Sequence, residues 1–472
     1  MAVQRVPVAR LHPQRLERVL TPEQAREMQE TVRRGRERFA GRAVWSVSST
    51  AYGGGVAEML HSLLAYVRGA DIDARWVVID GPPEFFEVTK RLHNRLHGVR
   101  GDGGELGDAE REAYERVCAG NARDLLEVVR PGDVVICHDP QPAGLVPQLA
   151  RAGAVVVWRA HIGVDEPNDL AREAWDFLRP YVSEAAAYVF SRRSYVWDGV
   201  DADRVAVIPP SIDTFSPKNQ PMAFSAVAAV LSAIGLGGNE SGGHPAFERE
   251  DGSPARVDRR AHLVEDGPLD LVQPTVLQVS RWDRLKDHGG VLEAFECCIA
   301  PRIPDVHLVL AGPDAAGVAD DPEGAGVYAS LVSRWRELDP DLRRRVHIAS
   351  LSMADAAENA AMVNALQRRA DVVVQKSLAE GFGLTVAEAM WKGRPVVAGA
   401  VGGINDQVVH EETGLLVDPT DLEAFGEAVS RLLGDPGAAT RMGDRANVRV
   451  RDLFLGPRHL RQFLELFDRL MG

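Results

Sequence analysis

The stretch AEGFGLTVAEAMWKGRPVV, residues 379–397, sets two glutamates, Glu380 and Glu388, with seven residues between them. A glycine-flanked turn, Gly381-Phe382-Gly383, follows the first glutamate. Leu384, Ala387 and Trp391 then recur at helical spacing, and Gly393 and Pro395 stop the helix. Glu380 is thus expected on a loop just before a helix and Glu388 about one turn inside it. Backbone N–H groups near Gly383 would be free at the helix start, an end that attracts phosphates. An E-x7-E spacing alone is an ordinary surface pattern. Two carboxylates beside a phosphate cradle, however, suit a ligand carrying both hydroxyls and phosphates, and a nucleotide sugar is such a ligand.

Strand and helix patterns alternate on both sides of this stretch. Apolar runs at 42–48, 74–80, 134–139, 154–161, 186–191 and 204–210 alternate with helical segments such as 56–68. The same rhythm restarts at 274–280 and continues through 306–312, 346–350, 371–377, 394–399 and 414–419, with helices at 287–299 and 355–369. Such βα alternation predicts parallel sheets covered on both faces. At 472 residues the chain is too long for one core, so two domains of roughly 200 residues each are expected. The reading is an α/β fold of two doubly wound, Rossmann-like domains facing across a cleft. The first spans 1–218, beginning with an arginine-rich lead-in and a helix from Pro22, and the second spans 269–456. Residues 219–268, glycine-rich and charged with room for one helix, read as a flexible insertion or linker. The amphipathic helix at about 457–472 would pack back on the first domain.

Net charge is −14, with 68 acidic against 54 basic residues interspersed. No basic stripe is present, so nucleic acid and anionic membrane are poor partners. No apolar run approaches the ~20 residues that span a bilayer. The N-terminus has no apolar segment of the secretory kind. The four cysteines, Cys118, Cys137, Cys297 and Cys298, read as reduced, mostly buried thiols of a cytoplasmic protein. Lysine is scarce, five residues in all, and Lys286, Lys376 and Lys392 fall close to the segments that carry chemistry.

Polar groups cluster where βα sheets build sites, after the carboxyl ends of strands. In the first domain SSTAYGGGVAEML puts Gly53, Gly54 and Gly55 between strand and helix, where backbone can approach a ligand closely. CHDPQP offers His138, Asp139 and Gln141, and WRAHIGVDEPN offers Arg159, His161, Asp165 and Asn168. In the second domain SRWDRLKDHGG places Arg281 and Lys286 on its first βα loop, in reach of one diphosphate. Metal is not indicated. Asp71-x-Asp73 precedes a strand and Asp201-x-Asp203 lies in a turn. A G-x-S-x-G elbow, a P-loop and a dinucleotide fingerprint are all missing, which argues against hydrolase, NTPase and dehydrogenase chemistry.

E-x7-E with FG inside it, together with S-R-x-x-x-x-K-D, resembles the retaining glycosyltransferases of the two-Rossmann-domain (GT-B) kind, in the glycogen and sucrose synthase-like group (family 4). Within that group GGGVAEML, FFEVTKRLHNRLHG, CHDPQP, WRAHIGVD and PPSIDTFSPKN are similar to the trehalose glycosyltransferring synthases. The resemblance implies transfer of glucose from a nucleotide-diphosphate-glucose to free glucose, reversibly, giving α,α-trehalose with retention. It implies that Glu380 holds donor-sugar hydroxyls and Glu388 the ribose. Arg281 and Lys286 would bind the diphosphate, and the backbone of Gly381, Phe382, Gly383 and Leu384 would cradle sugar and phosphate. Gly54 and Gly55 would approach the donor, His161 the reacting centre, and Asp139 the acceptor. No cofactor is required, and Mg²⁺ would at most stimulate. Domain closure would exclude water. Two alternatives stay open: glucose 6-phosphate as acceptor, for which Arg159 and Arg42 could supply cations, and a non-catalytic sugar-nucleotide sensor. A homodimer is compatible with the sequence, but nothing in it demonstrates one.

Overall fold

The computed structural model describes residues 3–51, 54–237, 243–314 and 322–472, in two compact units. Gly53 lies outside the described residues. The first unit comprises residues 1–211 and 454–472, the second 212–453.

Among the described residues, the first unit holds a seven-stranded sheet built from β1 (Gln4–Val6), β2 (Ala43–Ser48), β3 (Asp73–Val78), β4 (Val134–His138), β5 (Val155–Ala160), β6 (Ala187–Phe190) and β7 (Val205–Val207). Their order across the sheet is β1-β3-β2-β4-β5-β6-β7. All pairings are parallel except β1 on β3, so the lead-in supplies an antiparallel edge strand that its polar composition hid. Thr21 starts the helix Pro22–Arg38 with a capping box closed by Gln24. One sheet face carries Trp45, Val47, Cys137 and Trp158 into a large aromatic core. The other carries Val44, Ile136, Val157 and Val189 against Leu464 and Phe467 of the C-terminal helix Gly456–Met471. Two-sided burial explains why these strands read as nearly unbroken apolar runs.

The second unit holds β11 (Thr275–Val279), β12 (His307–Pro313), β13 (Val346–Leu351), β14 (Val372–Gln375), β15 (Val396–Gly399) and β16 (Leu415–Val417) in parallel. The described residues of 219–268, which leave out 238–242, are not a free linker. They form the helix Phe224–Ile234, a hairpin of β8 (Ala246–Glu248) and β9 (Pro254–Arg256), and β10 (His262–Val264), which pairs antiparallel with β13 and extends this sheet to the order β10-β13-β12-β11-β14-β15-β16. Tertiary contacts hold the segment. Buried Glu358 accepts from the backbone N–H of Asp258 and of Arg259, each at 2.6 Å, and from the Arg259 guanidinium. Arg249 forks onto Asp355 at 2.6 and 3.1 Å. Asn364 donates to the carbonyls of Pro217 and Gln220, both at 3.0 Å. Three-residue strands are too short to show alternation, so the sequence pattern could not expose them.

Each sheet winds outward in two directions from one point. In the second unit that point lies between β11 and β14, and in the first between β2 and β4. Ligands of doubly wound sheets bind beyond the strand ends at such switch points. Cys297 and Cys298 are adjacent in the π-helical turn Phe295–Ile299, with their Sγ atoms in close approach. Cys118 and Cys137 are free and buried.

Candidate functional site

In the second unit the pairing of β11 with β14 lays two loops side by side, 280–287 and 376–383. The buried amide of Gln278 fastens them. It donates to the Lys286 carbonyl at 2.8 Å and accepts from the Lys376 N–H at 3.1 Å. A backbone bond from Leu378 N–H to the Leu285 carbonyl, 2.8 Å, adds a second tie. Lys286 Nζ consequently meets Glu380 Oε2 at 2.6 Å, with the two side chains only 15% and 11% exposed. Ser377 Oγ also donates to Glu380 Oε2, at 3.2 Å. Arg281 is half-exposed and lies 3.7 Å from Asp283. Lys376, buried, is paired with Asp287, which has a left-handed backbone (φ 51°) and whose Oδ1 caps the next helix by accepting from the Gly290 N–H at 3.0 Å.

The helix Leu384–Trp391 begins at Gly383, whose φ of 84° suits glycine. A Cβ there would come within 3.1 Å of Ile404 and 3.2 Å of the Glu380 side chain. Phe382 is buried, and behind the turn the buried Gln407 amide donates to the carbonyls of Phe382, Gly383 (3.2 Å) and Gly403 (3.4 Å). The carbonyls are thereby held back, and the first N–H groups of the helix have no acceptor within it. Glu388 is no surface residue. It is 1% exposed, with Lys218 Nζ 3.5 Å from Oε1. Lys392 Nζ bonds Asn219 Oδ1 at 2.8 Å. Four of the five lysines, Lys218, Lys286, Lys376 and Lys392, are thus largely buried in this unit.

In the first unit Gly54 (φ 90°) precedes the helix Gly55–Gly69 after β2, and His138 and Asp139 follow on its neighbour β4. Asp139 also takes a left-handed backbone, φ 66°, which aspartate tolerates better than most residues. Its Oδ1 accepts from the His161 N–H at 2.8 Å, and its carbonyl accepts from Trp158 Nε1 at 3.0 Å. Burial raises the Asp139 carboxyl to about 7, against the opposing pull of the His161 N–H and the Arg159 charge. His138 Nδ1 and His161 Nε2 share a hydrogen bond of 3.0 Å. Burial, then the Arg159 charge, push His138 down to about 3 and His161 well below its usual range, so both rings are neutral at pH 7.

Other residues near these strand ends do structural work. Asp165 pairs with Arg192 at 2.8 Å and accepts from Ser194 at 2.7 Å. Asn168 caps the helix Asp169–Val182. Arg159, the register partner of His138, turns toward Phe463. Sequence reasoning missed Lys218 and Gln407 as parts of the site. Lys218 stood inside PPSIDTFSPKN, but no helical or strand period tied it to Glu388, 170 residues on. Gln407 carried no signal at all.

Two family models match. "Trehalose synthase, N-terminal domain" covers residues 46–197 and "Glycosyl transferases group 1" covers 263–449. The chain is 37% identical to the trehalose synthase of Pyrococcus horikoshii over 438 residues, 92% of either chain. Identity and coverage are the same for the trehalose synthase of Rubrobacter xylanophilus. An alpha,alpha-trehalose-phosphate synthase (UDP-forming) from Burkholderia vietnamiensis shares the fold at a TM-score of 0.64 and 15% identity, over 89% of this chain and 95% of that one. With its two parallel-sheet units and their strand-end clusters, the chain belongs to the trehalose synthase family, glycosyltransferases of the GT-B fold.

Proposed function

We propose that the protein transfers glucose from a nucleotide-diphosphate-glucose to free glucose, reversibly, and forms α,α-trehalose. The observation that carries the donor half is the Lys286–Glu380 pair at the head of the helix Leu384–Trp391. Cation, carboxylate and helix N-terminus there fit a diphosphate joined to a polyol. Lys286 and Arg281 take the diphosphate, Glu380 takes sugar hydroxyls once Lys286 turns to phosphate, and Glu388 takes the ribose. The backbone from Gly381 to Leu384 lines the cradle. On the acceptor half, neutral His161 and Asp139, whose carboxyl keeps its proton well above the usual carboxylate range, offer hydrogen bonds that suit an uncharged sugar. Gly54 and Gly55 lie beside them on the adjoining strand end.

In the transfer step the bond from donor C1 to the diphosphate oxygen breaks as the acceptor hydroxyl bonds to C1 from the same face. The hydroxyl proton passes to an oxygen of the departing diphosphate. Negative charge grows on that diphosphate, and each preorganised donor aimed at it is worth about 10²–10³ in rate. Free glucose is favoured over glucose 6-phosphate because the two arginines available for an acceptor phosphate are placed elsewhere. Arg42 precedes β2, at the end of the sheet away from the site, and rests on Met471. Arg159 is fully buried and turned toward Phe463 of the C-terminal helix. The Burkholderia protein's description as UDP-forming supports a nucleoside diphosphate as leaving group. The test is NMR of products after incubation with UDP-glucose, ADP-glucose or GDP-glucose and free glucose. A single symmetric α,α-linked disaccharide is expected. Transfer to glucose 6-phosphate alone, or none to any sugar, would overturn the proposal.

A further inference from the structure

On the face of the first unit's sheet that meets the C-terminal helix there is a cavity of about 120 Å³. Its walls are mostly hydrocarbon, from Met28, Leu60, Leu63, Phe463 and Phe467 among others. Into it runs Arg159. Its side chain is fully buried, and Nε and both Nη atoms have no hydrogen-bond partner among the described residues. The Phe463 ring lies 5.7 Å from the guanidinium carbon. Among the described residues, no acidic side chain lines the cavity. Burial and the neighbouring Arg458 lower the Arg159 guanidinium to about 9, Asp139 opposing, so it still carries its charge at pH 7. Three more buried polar atoms on the same walls also have no partner among the described residues: Ser46 Oγ, His138 Nε2 and His459 Nδ1.

A cation without a counter-ion in hydrocarbon is strongly disfavoured, and a planar guanidinium fork is best met by a carboxylate, two oxygens against two N–H groups. The hydroxyl and the neutral histidines can supply further donors. The apolar remainder of the walls disfavours a second charge and favours a hydrocarbon body. The volume is comparable with the ~150 Å³ cavity known to hold a benzene ring. We propose that this cavity binds a small monocarboxylate with an apolar body, its carboxylate on Arg159 and its hydrocarbon against the helices Pro22–Arg38, Gly55–Gly69 and Gly456–Met471. The site is separate from the transfer chemistry but touches it. His138 presents Nε2 to the cavity and Nδ1 to His161, so an occupant that accepts from Nε2 leaves Nδ1 to accept from His161 and fixes the tautomers of that pair.

The test is calorimetric titration of the full-length protein with sodium benzoate, beside sodium chloride and inorganic phosphate at matched ionic strength. Saturable one-to-one benzoate binding is expected, with chloride and phosphate at least about tenfold weaker, because neither brings a hydrocarbon body to bury against the apolar walls. Arg159→Met keeps the volume and removes the cation, and it should weaken benzoate about tenfold or more. Without benzoate, Arg159→Met should melt no lower than the parent protein, because an unpaired buried charge has gone. Val32→Trp fills the cavity from the wall helix, keeps the guanidinium, and should also abolish benzoate binding; it carries the test if Arg159→Met does not fold. No benzoate binding by the parent protein, undiminished binding in either folded variant, or chloride or phosphate binding as tightly as benzoate would overturn the proposal.

Discussion

Removing the Lys286 ammonium strands a nearly buried carboxylate, and the consequence can be worked from the geometry. At 2.6 Å and an effective dielectric of 20, the Lys286–Glu380 attraction is about 6 kcal/mol before desolvation. Exposures of 15% and 11% mean that most of this is spent in taking both charges out of water. Breaking a fully buried pair from one side costs about 3–5 kcal/mol. Here the Ser377 hydroxyl still donates to Glu380 and some solvent reaches it, so Lys286→Met should cost about 2–3 kcal/mol. Glu380→Gln, which keeps a hydrogen-bonding side chain, should cost about 1–2 kcal/mol. The double variant Lys286→Met/Glu380→Gln leaves no unpaired charge and should lose only about 2 kcal/mol in all, a coupling of about 1–3 kcal/mol. Amide hydrogen exchange in β14 reports the opening free energy of this unit and is the assay. Turnover should behave differently. All three variants should fall by about 10² or more, with no recovery in the double variant, because the diphosphate and the sugar each lose a partner. Single costs that add within ~0.5 kcal/mol would refute the pairing, and recovered turnover in the double variant would refute the chemical roles.

Arg281→Ala should fold normally, since that side chain is half-exposed, yet lower kcat by about 10²–10³ with UDP-glucose; near-normal turnover would remove Arg281 from the diphosphate site. Asp139 is raised to about 7 in the folded protein from an ordinary 3.8, so the fold retains a proton that the unfolded chain gives up. Its ionisation therefore costs stability progressively as pH rises from about 4 to about 7, and the cost is complete above that window. Asp139→Asn, which cannot ionise, should gain on the parent protein over that window by up to about 4 kcal/mol, at about 1.4 kcal/mol per pH unit. Urea titrations at pH 4.5 and pH 8 check this, and a constant gap between the two proteins would refute it. Glu358→Gln weakens the anchor on Asp258 and Arg259 and should cost about 2–3 kcal/mol, read as faster proteolysis within 246–264; unchanged proteolysis would show that other contacts hold the segment.

The two parallel sheets, the helix after Gly383, and the placing of Glu380, Arg281, Lys286, Asp139 and His161 at strand ends were legible in the chain. Each rests on a local cause: two-sided burial makes strands continuous apolar runs, and glycines mark the turns where strands give way to helices. The short antiparallel strands β1 and β10 escaped because three residues show no period and their pairing partners lie far along the chain. The 219–268 segment read as loose because its glycines and charges are local. The grip of Glu358, Asp355 and Asn364 on it comes from about a hundred or more residues away.

The same division runs through the site. Residue types and their order along the chain are local and were written in the sequence. Which cation meets which carboxylate was decided by register: β11 beside β14 brings Lys286 to Glu380 and leaves Arg281 toward solvent. Burial too was decided there. Asp139 and Arg159 carry no sequence mark of their shifted ionisation. Both shifts come from taking a charged group out of water, and that energy exists only once helices and sheet have closed around it.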